Sequence, residues 1–171
     1  NRYAPLNKFI DGSRESRDSR VGYRDGILAR LGETYLIAAE ALIRQGEYQQ
    51  ALKYINDLRA RAAYKEGEDR SAYCDGGAAY NENSLGYITM GDINSYYESN
   101  NIPVTTAATS LEIRDYHHLP AEDEEVIEKL GYTSDYDRMM CLLLNERSRE
   151  LCGEFYRWED LSRTKTLIER V

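Results

Sequence analysis

The chain has 171 residues and a formal net charge of −8, enough for one core, or one core plus a less regular excursion. The acidic balance argues against a nucleic-acid-binding face, which needs a basic surface. The longest apolar run, MMCLLL at 139–144, is far too short to span a bilayer.

Residues 1–25 carry arginines at 14, 17, 20 and 24 with few apolar anchors and read as an extended lead-in. The abrupt start, NRYAPLNKFIDGSRES, has no initiator Met, signal peptide or lipidation motif. It is expected to be the middle of a longer polypeptide. From Ile27 to Arg44, Leu28, Leu31, Tyr35, Ala38, Ala39 and Leu42 recur at helical spacing, and Gly46 marks the stop. A second helix follows, with Tyr48, Ala51, Leu52, Ile55, Leu58 and Ala62 on one stripe. So short a turn forces the two to pack antiparallel. Ala39, Leu42, Gly46, Tyr48, Ala51, Ile55 and Leu58 follow the tetratricopeptide pattern, in which small residues permit close helix approach. One copy is visible, and such a repeat wants stacked neighbours. The other face of the first helix carries Arg30, Glu33, Glu40 and Arg44, interrupted by Ile37. That stripe fits either a solvated face with intrahelical pairs or a buried polar contact.

Between Tyr64 and Tyr132 the chain holds Gly76-Gly77, many Asn and Ser residues and eight tyrosines, with no sustained period. Its aromatic content argues for order. From Tyr64 to Asp137 there are 16 acidic and 4 basic residues, so an acidic excursion sits on an otherwise basic scaffold. Short helices are expected at 91–99 and, after Pro120, at 121–130, ending at Gly131. The acids at 122–125 suit a helix N-terminus, where the macrodipole favours negative charge. Thr133 or Ser134 then caps a long helix over 135–154, whose MMCLLL segment should be buried on every side. Trp158, Leu161, Leu167 and Ile168 complete the chain in a short helix or turn. Cys141 and Cys152 lie about 16 Å apart along such a helix, too far for a disulfide. They read as small buried hydrophobes, and Cys74 lies in a loop.

NERSRELCGEFYRWEDLSR, residues 145–163, packs nine charged side chains around an aromatic cluster. A glycosidase reading of Glu146, Glu150 and Glu154 fails on direction: both carboxyls of an i, i+4 pair leave one helix face, whereas a sugar must be flanked. His117 and His118 have no Ser or Cys elbow and no further ligands at metal spacing, and read as a loop pair. DGGAAYNENS lacks the alternating oxygen ligands of a calcium loop. No metal and no cofactor are expected. Because the Glu146, Glu150 and Glu154 stripe continues the line of Met139 and Leu143, at least one of these glutamates should pair with an arginine from elsewhere. The expected structural clamp is Arg30, Glu146, Glu150 and Arg157.

RLGETYLIAAEALIRQGEYQQALKYINDLRARA, at 30–62, resembles the helical pair of the SusD/RagB family, and NERSRELCGEFYRWEDLSRTK, at 145–165, is similar to that family's second signature. The resemblance implies the C-terminal part of a lipid-anchored protein on the outward face of a Bacteroidetes outer membrane. There it would capture glycans or peptides for a SusC-like TonB-dependent transporter, with the anchor outside this chain. It implies no enzyme activity and no binding residue within either signature. The expected fold is all-α: a tetratricopeptide-like pair at 27–63, a tyrosine-rich acidic insertion at 64–133 and signature helices at 134–171, in one domain. Glycan binding needs flat aromatic faces beside polar groups. Tyr73, Tyr80, Tyr87, Tyr96 and Tyr97, with Asn81, Asn83, Asp92 and Asn94, supply both. These tyrosines are candidates for ligand or transporter contact, or form the insertion's own small core. A peptide-binding scaffold and, more remotely, a carboxylate-dependent glycosidase are the rival functions.

Overall fold

In the computed structural model, residues 28–64, 66–67 and 108–170 are described below, residues 108 and 109 by their backbone alone. The lead-in, the expected helix at 91–99, Cys74 and the tyrosine cluster lie outside them. The chain divides into two units, and residues 28–63 with 107–171 form the one to which all the helices here belong. Among the described residues the fold is all-α, and no helix is long and apolar enough to cross a membrane.

The first helix, α1, spans Leu31–Arg44 and buries Leu36, Ala39 and Ile43. It starts four residues later than the periodicity implied. Arg30 has extended backbone (φ −147°), and its carbonyl accepts the first helical bond from the Glu33 amide. Leu28, counted as a core position from its spacing, is exposed. Gly46 (φ +81°) ends α1: its own N–H reaches the Ile43 carbonyl at 3.0 Å, and the Glu47 N–H reaches Leu42 at 2.9 Å. These two bonds are those of a Schellman motif, whose left-handed residue is best supplied by glycine. The chain reverses there into α2, Tyr48–Ala62, which lays Ala51, Leu52, Ile55 and Leu58 against α1. Ala39 and Ala51 are both fully buried, the small residues that let the two backbones approach. At the far end Ala63, not Ala62, is the buried residue.

A single turn, α3 (Ala108–Leu111), leads into an irregular segment stitched to α2 by side chains. The Asn56 amide donates to the Ile113 carbonyl at 2.8 Å and accepts from the Ile113 N–H at 2.9 Å, and Gln49 donates to the Arg114 carbonyl. These bonds replace the ladder partners a non-helical backbone lacks. The fourth helix, α4, spans Ala121–Leu130 after Pro120 and ends at Gly131, which repeats the Schellman closure.

The fifth helix, α5, spans Asp135–Glu150 and is the centre of the core. Ser134 caps it, its Oγ accepting from the Asp137 N–H and donating to the Asp137 carboxylate. Every residue of MMCLLL is buried, since α1, α2 and α4 all pack on this helix. It ends four residues before the expected position 154. Leu151 leaves helical geometry, and Gly153 (φ +79°) turns the chain back. Cys152 is therefore exposed, where the helical wheel had buried it, and so is Phe155. The last helix, α6, spans Tyr156–Arg163 and buries Leu161, whereas Trp158 and Ile168 stand in solvent.

Candidate functional site

The signature residues of α5 and α6 face α1 and α2 through three groups of ion pairs. The first surrounds Glu150. Arg30, at the start of α1, pairs with the Glu150 carboxylate and also donates to the Glu150 main-chain carbonyl. Its Nε donates to both oxygens of Glu154 at 2.9 Å. Arg61 of α2 closes on Glu150 from the other side, at 2.6 and 2.7 Å. Burial works against the Arg30 charge, but the bonds from Glu154 and Glu150 outweigh it and raise its pKa. Gly32 makes this approach possible: a Cβ there would lie 2.6 Å from Arg30 Nη1 and 2.7 Å from Glu150 Oε1. Any larger residue must push the pair apart.

The second group joins α2, α4 and α5. Glu146 receives Arg59 Nε at 2.7 Å and Arg149 Nη2 at 2.7 Å. Asp123, 0% exposed, accepts from Asn145 at 2.7 Å and from Arg149 at 3.1 Å. Arg59 also donates to the Leu111 carbonyl, which fixes α3 to the same point. Burial raises the Asp123 pKa despite Asn145 and Arg149, and the neighbouring Glu146 adds to the rise. An acid with a raised folded pKa favours the native state below its unfolded pKa and loses that contribution as pH rises. Asp123 thus works against stability at neutral pH, and its arginines are what hold it there.

The third group links α1 to α6. Arg147 donates from Nε to Asp160 at 2.6 Å, with side chains 4% and 3% exposed. The other Asp160 oxygen takes Arg163 at 2.9 Å. Arg163 continues to Glu40 of α1 at 2.5 and 2.6 Å, and Arg44 reaches the same carboxylate at 2.8 Å. Burial would raise the Glu40 pKa, but the two arginines outweigh it and hold it below the usual carboxylate range. The Glu40 and Arg44 part of the polar stripe is therefore an inter-helix contact.

Of the residues singled out from sequence, the structure brings Arg30 and Glu150 together directly and gives Glu146 to Arg59. Arg157 donates to the Leu144 carbonyl at 3.0 Å, with no carboxylate within ion-pair distance among the described residues. Its pKa is lowered by burial and by Arg170 nearby. Tyr73, Tyr80, Tyr87, Tyr96 and Tyr97 lie outside the described residues. His117 and His118 are exposed, His118 bonded to Asp115, and no group of three potential metal ligands occurs among the described residues. Sequence reasoning missed Gly32, Arg59, Asp123 and the pairing of Arg147 with Asp160. Asp123 was read as one of four helix-start acids. Only its place one turn before buried Ile127, the apolar stripe of α4, hinted at burial.

Phe155 carries an unusual backbone. It is 96% exposed and has φ +67°, a conformation that costs a bulky L-residue roughly 1–2 kcal/mol. Phe155→Gly is expected to raise the unfolding free energy by about 1 kcal/mol in urea titrations. A loss of stability would mean that the ring makes contacts its exposure does not reveal.

The SusD family model matches residues 1–170. No curated protein and no solved structure matches the chain. The family match covers both the helical pair and the ion-paired signature whose geometry is given above, and the chain belongs to the SusD family.

Proposed function

We propose that the protein binds a glycan at the outward face of an outer membrane and delivers it, unhydrolysed, to a SusC-like TonB-dependent transporter. The observation that carries this reading is family membership over residues 1–170. The state of the signature carboxylates supports its non-catalytic part. Glu146, Glu150 and Glu154 are each held by an arginine, whereas a glycosidase needs one carboxyl kept protonated as its acid and a second across the sugar. The tyrosines at 73, 80, 87, 96 and 97 are the proposed ligand platform, because a phenol offers a flat apolar face and a polar edge. The α1–α2 hairpin favours a second reading, a scaffold for peptides.

Calorimetry of the chain with neutral and acidic oligosaccharides and with extended peptides, alongside an assay for released reducing ends, tests these readings. Saccharide binding without product release is expected, weakened in the Tyr96→Ala, Tyr97→Ala double variant. Product release would overturn the non-catalytic reading, and binding of peptides alone would favour the scaffold.

A further inference from the structure

Asp123 of α4 and Glu146 of α5 are both buried, and one nitrogen serves them both. Arg149 Nη2 lies 3.1 Å from each Asp123 oxygen and 2.7 Å from Glu146 Oε1. The two carboxylates are therefore within about 6 Å of each other, the range in which like charges act on one another's protonation. Arg59 of α2 sits on the Glu146 side, its Nη2 2.6 Å from Glu146 and 3.8 Å from Asp123. The members are unequally wet. The Arg149 side chain is 41% exposed and keeps solvent without Asp123, whereas Asp123 is 0% exposed and has only its partners. A proton taken up by the cluster thus removes the charge that burial penalises most and leaves both arginines the Glu146 carboxylate.

The same cluster holds a discrete piece of the fold. Arg59 ties α3 through the Leu111 carbonyl at 2.9 Å, and Asn145 ties α4 through Asp123 at 2.7 Å. Other groups around Asp123 on α5 are Cys141, whose thiol is pushed up by burial and further by Asp123, and Arg170, which donates to Cys141 and Asn145. The neighbouring acids behave oppositely. Arg138 holds Glu124 below the usual carboxylate range, and the His117 N–H and His118 do the same for Asp115. Both therefore stay ionised in mild acid and add no slope there. Asp123, raised by burial and by Glu146, binds its proton in the folded chain at a pH where the unfolded chain has lost it. Its contribution favours the docked state in mild acid and is lost as pH rises through its folded pKa.

We infer that Asp123, Glu146 and Arg149 form a proton-sensitive clasp: with a proton on Asp123 the segment from α3 through α4 is held against α2 and α5, and with both carboxylates charged it opens locally. The inference is independent of which ligand the protein carries. Backbone amide exchange, corrected for its intrinsic pH dependence, would be followed in the unaltered chain and in Asp123→Asn at about pH 8 and about pH 5, where ordinary carboxylates stay largely ionised. In the unaltered chain, α4 amides should open more often than the buried amides of α1, the mark of a local event. That opening should fall several-fold on acidification. Asp123→Asn, which carries no charge to lose, should abolish this fall. His117 and His118 also titrate in the window, but they are common to both chains. An equal fall in both would assign the effect to them and overturn the clasp, as would α4 and α1 amides that open only together. Should Asp123→Asn not fold, the carbon-13 shift of the Asp123 carboxyl in the unaltered chain gives a second readout. Titration above the exposed aspartates is expected, and a midpoint among theirs would overturn the inference.

Discussion

Asp160→Ala is expected to lower the unfolding free energy by roughly 3–5 kcal/mol, the usual loss when one member of a buried ion pair is removed. The magnitude follows from what remains. Arg147 loses the only carboxylate its Nε touches, and its Nη1 already has no partner. The guanidinium is 4% exposed and cannot recover solvation without opening the contact between α5 and α6. Arg163 provides the comparison. Its side chain is 36% exposed, so truncating it should cost about 1 kcal/mol or less from its own lost pairing with Asp160, plus whatever the stranded Glu40 adds. Urea titration of both variants at neutral pH reads the difference. If Asp160→Ala cost no more than a surface pair does, the buried link between α5 and α6 would not be stabilising in the way described.

Glu146→Ala should fall in the same range, roughly 3–5 kcal/mol, for a different reason. Glu146 takes bonds from Arg59 and Arg149 and stands beside Asp123. Its removal relieves Asp123 of a like charge but leaves Arg59, 11% exposed, with Asp123 Oδ2 3.8 Å away as its remaining carboxylate. The stranded cation outweighs the relieved repulsion, because the charge on Asp123 is still compensated by Arg149 and Asn145. The loss should appear at neutral pH as an earlier urea midpoint with unchanged slope, since the core that unfolds is the same. A change within about 0.5 kcal/mol, the range of ordinary surface substitutions, would contradict it.

What could be read from the sequence was what depends on neighbours in sequence. The hairpin of α1 and α2 was legible because Gly46 and the apolar spacing are local, as was the Ser134 cap of α5. The burial of MMCLLL was legible because an all-round apolar helix has nowhere else to go. Boundaries failed where one residue overrides a period. Gly153 stops α5, and the four residues at 151–154 once assigned to it leave the helix, so that Cys152 and, just beyond them, Phe155 stand exposed. Arg30 was singled out as a candidate partner for the glutamate stripe, but which carboxylates it takes was not legible, since 124 positions separate it from Glu154. Arg59, Asp123 and Gly32 gave still less: an arginine among arginines, an acid among acids, and a glycine that looks like a weak helix residue. Their roles come from tertiary approach, which no window of sequence contains. The tyrosine-rich insertion remains a proposal, lying outside the described residues.

The central claim is that the charged signature locks the C-terminal helices to the helical pair. The most direct measurement is a double-mutant cycle in urea on Arg59→Ala and Glu146→Ala, side chains 87 positions apart in sequence and 2.7 Å apart in space. The lock predicts that the double variant is less destabilised than the sum of the singles, with a coupling of about 1–3 kcal/mol. Additivity within about 0.3–0.5 kcal/mol, the behaviour of independent sites, would contradict it.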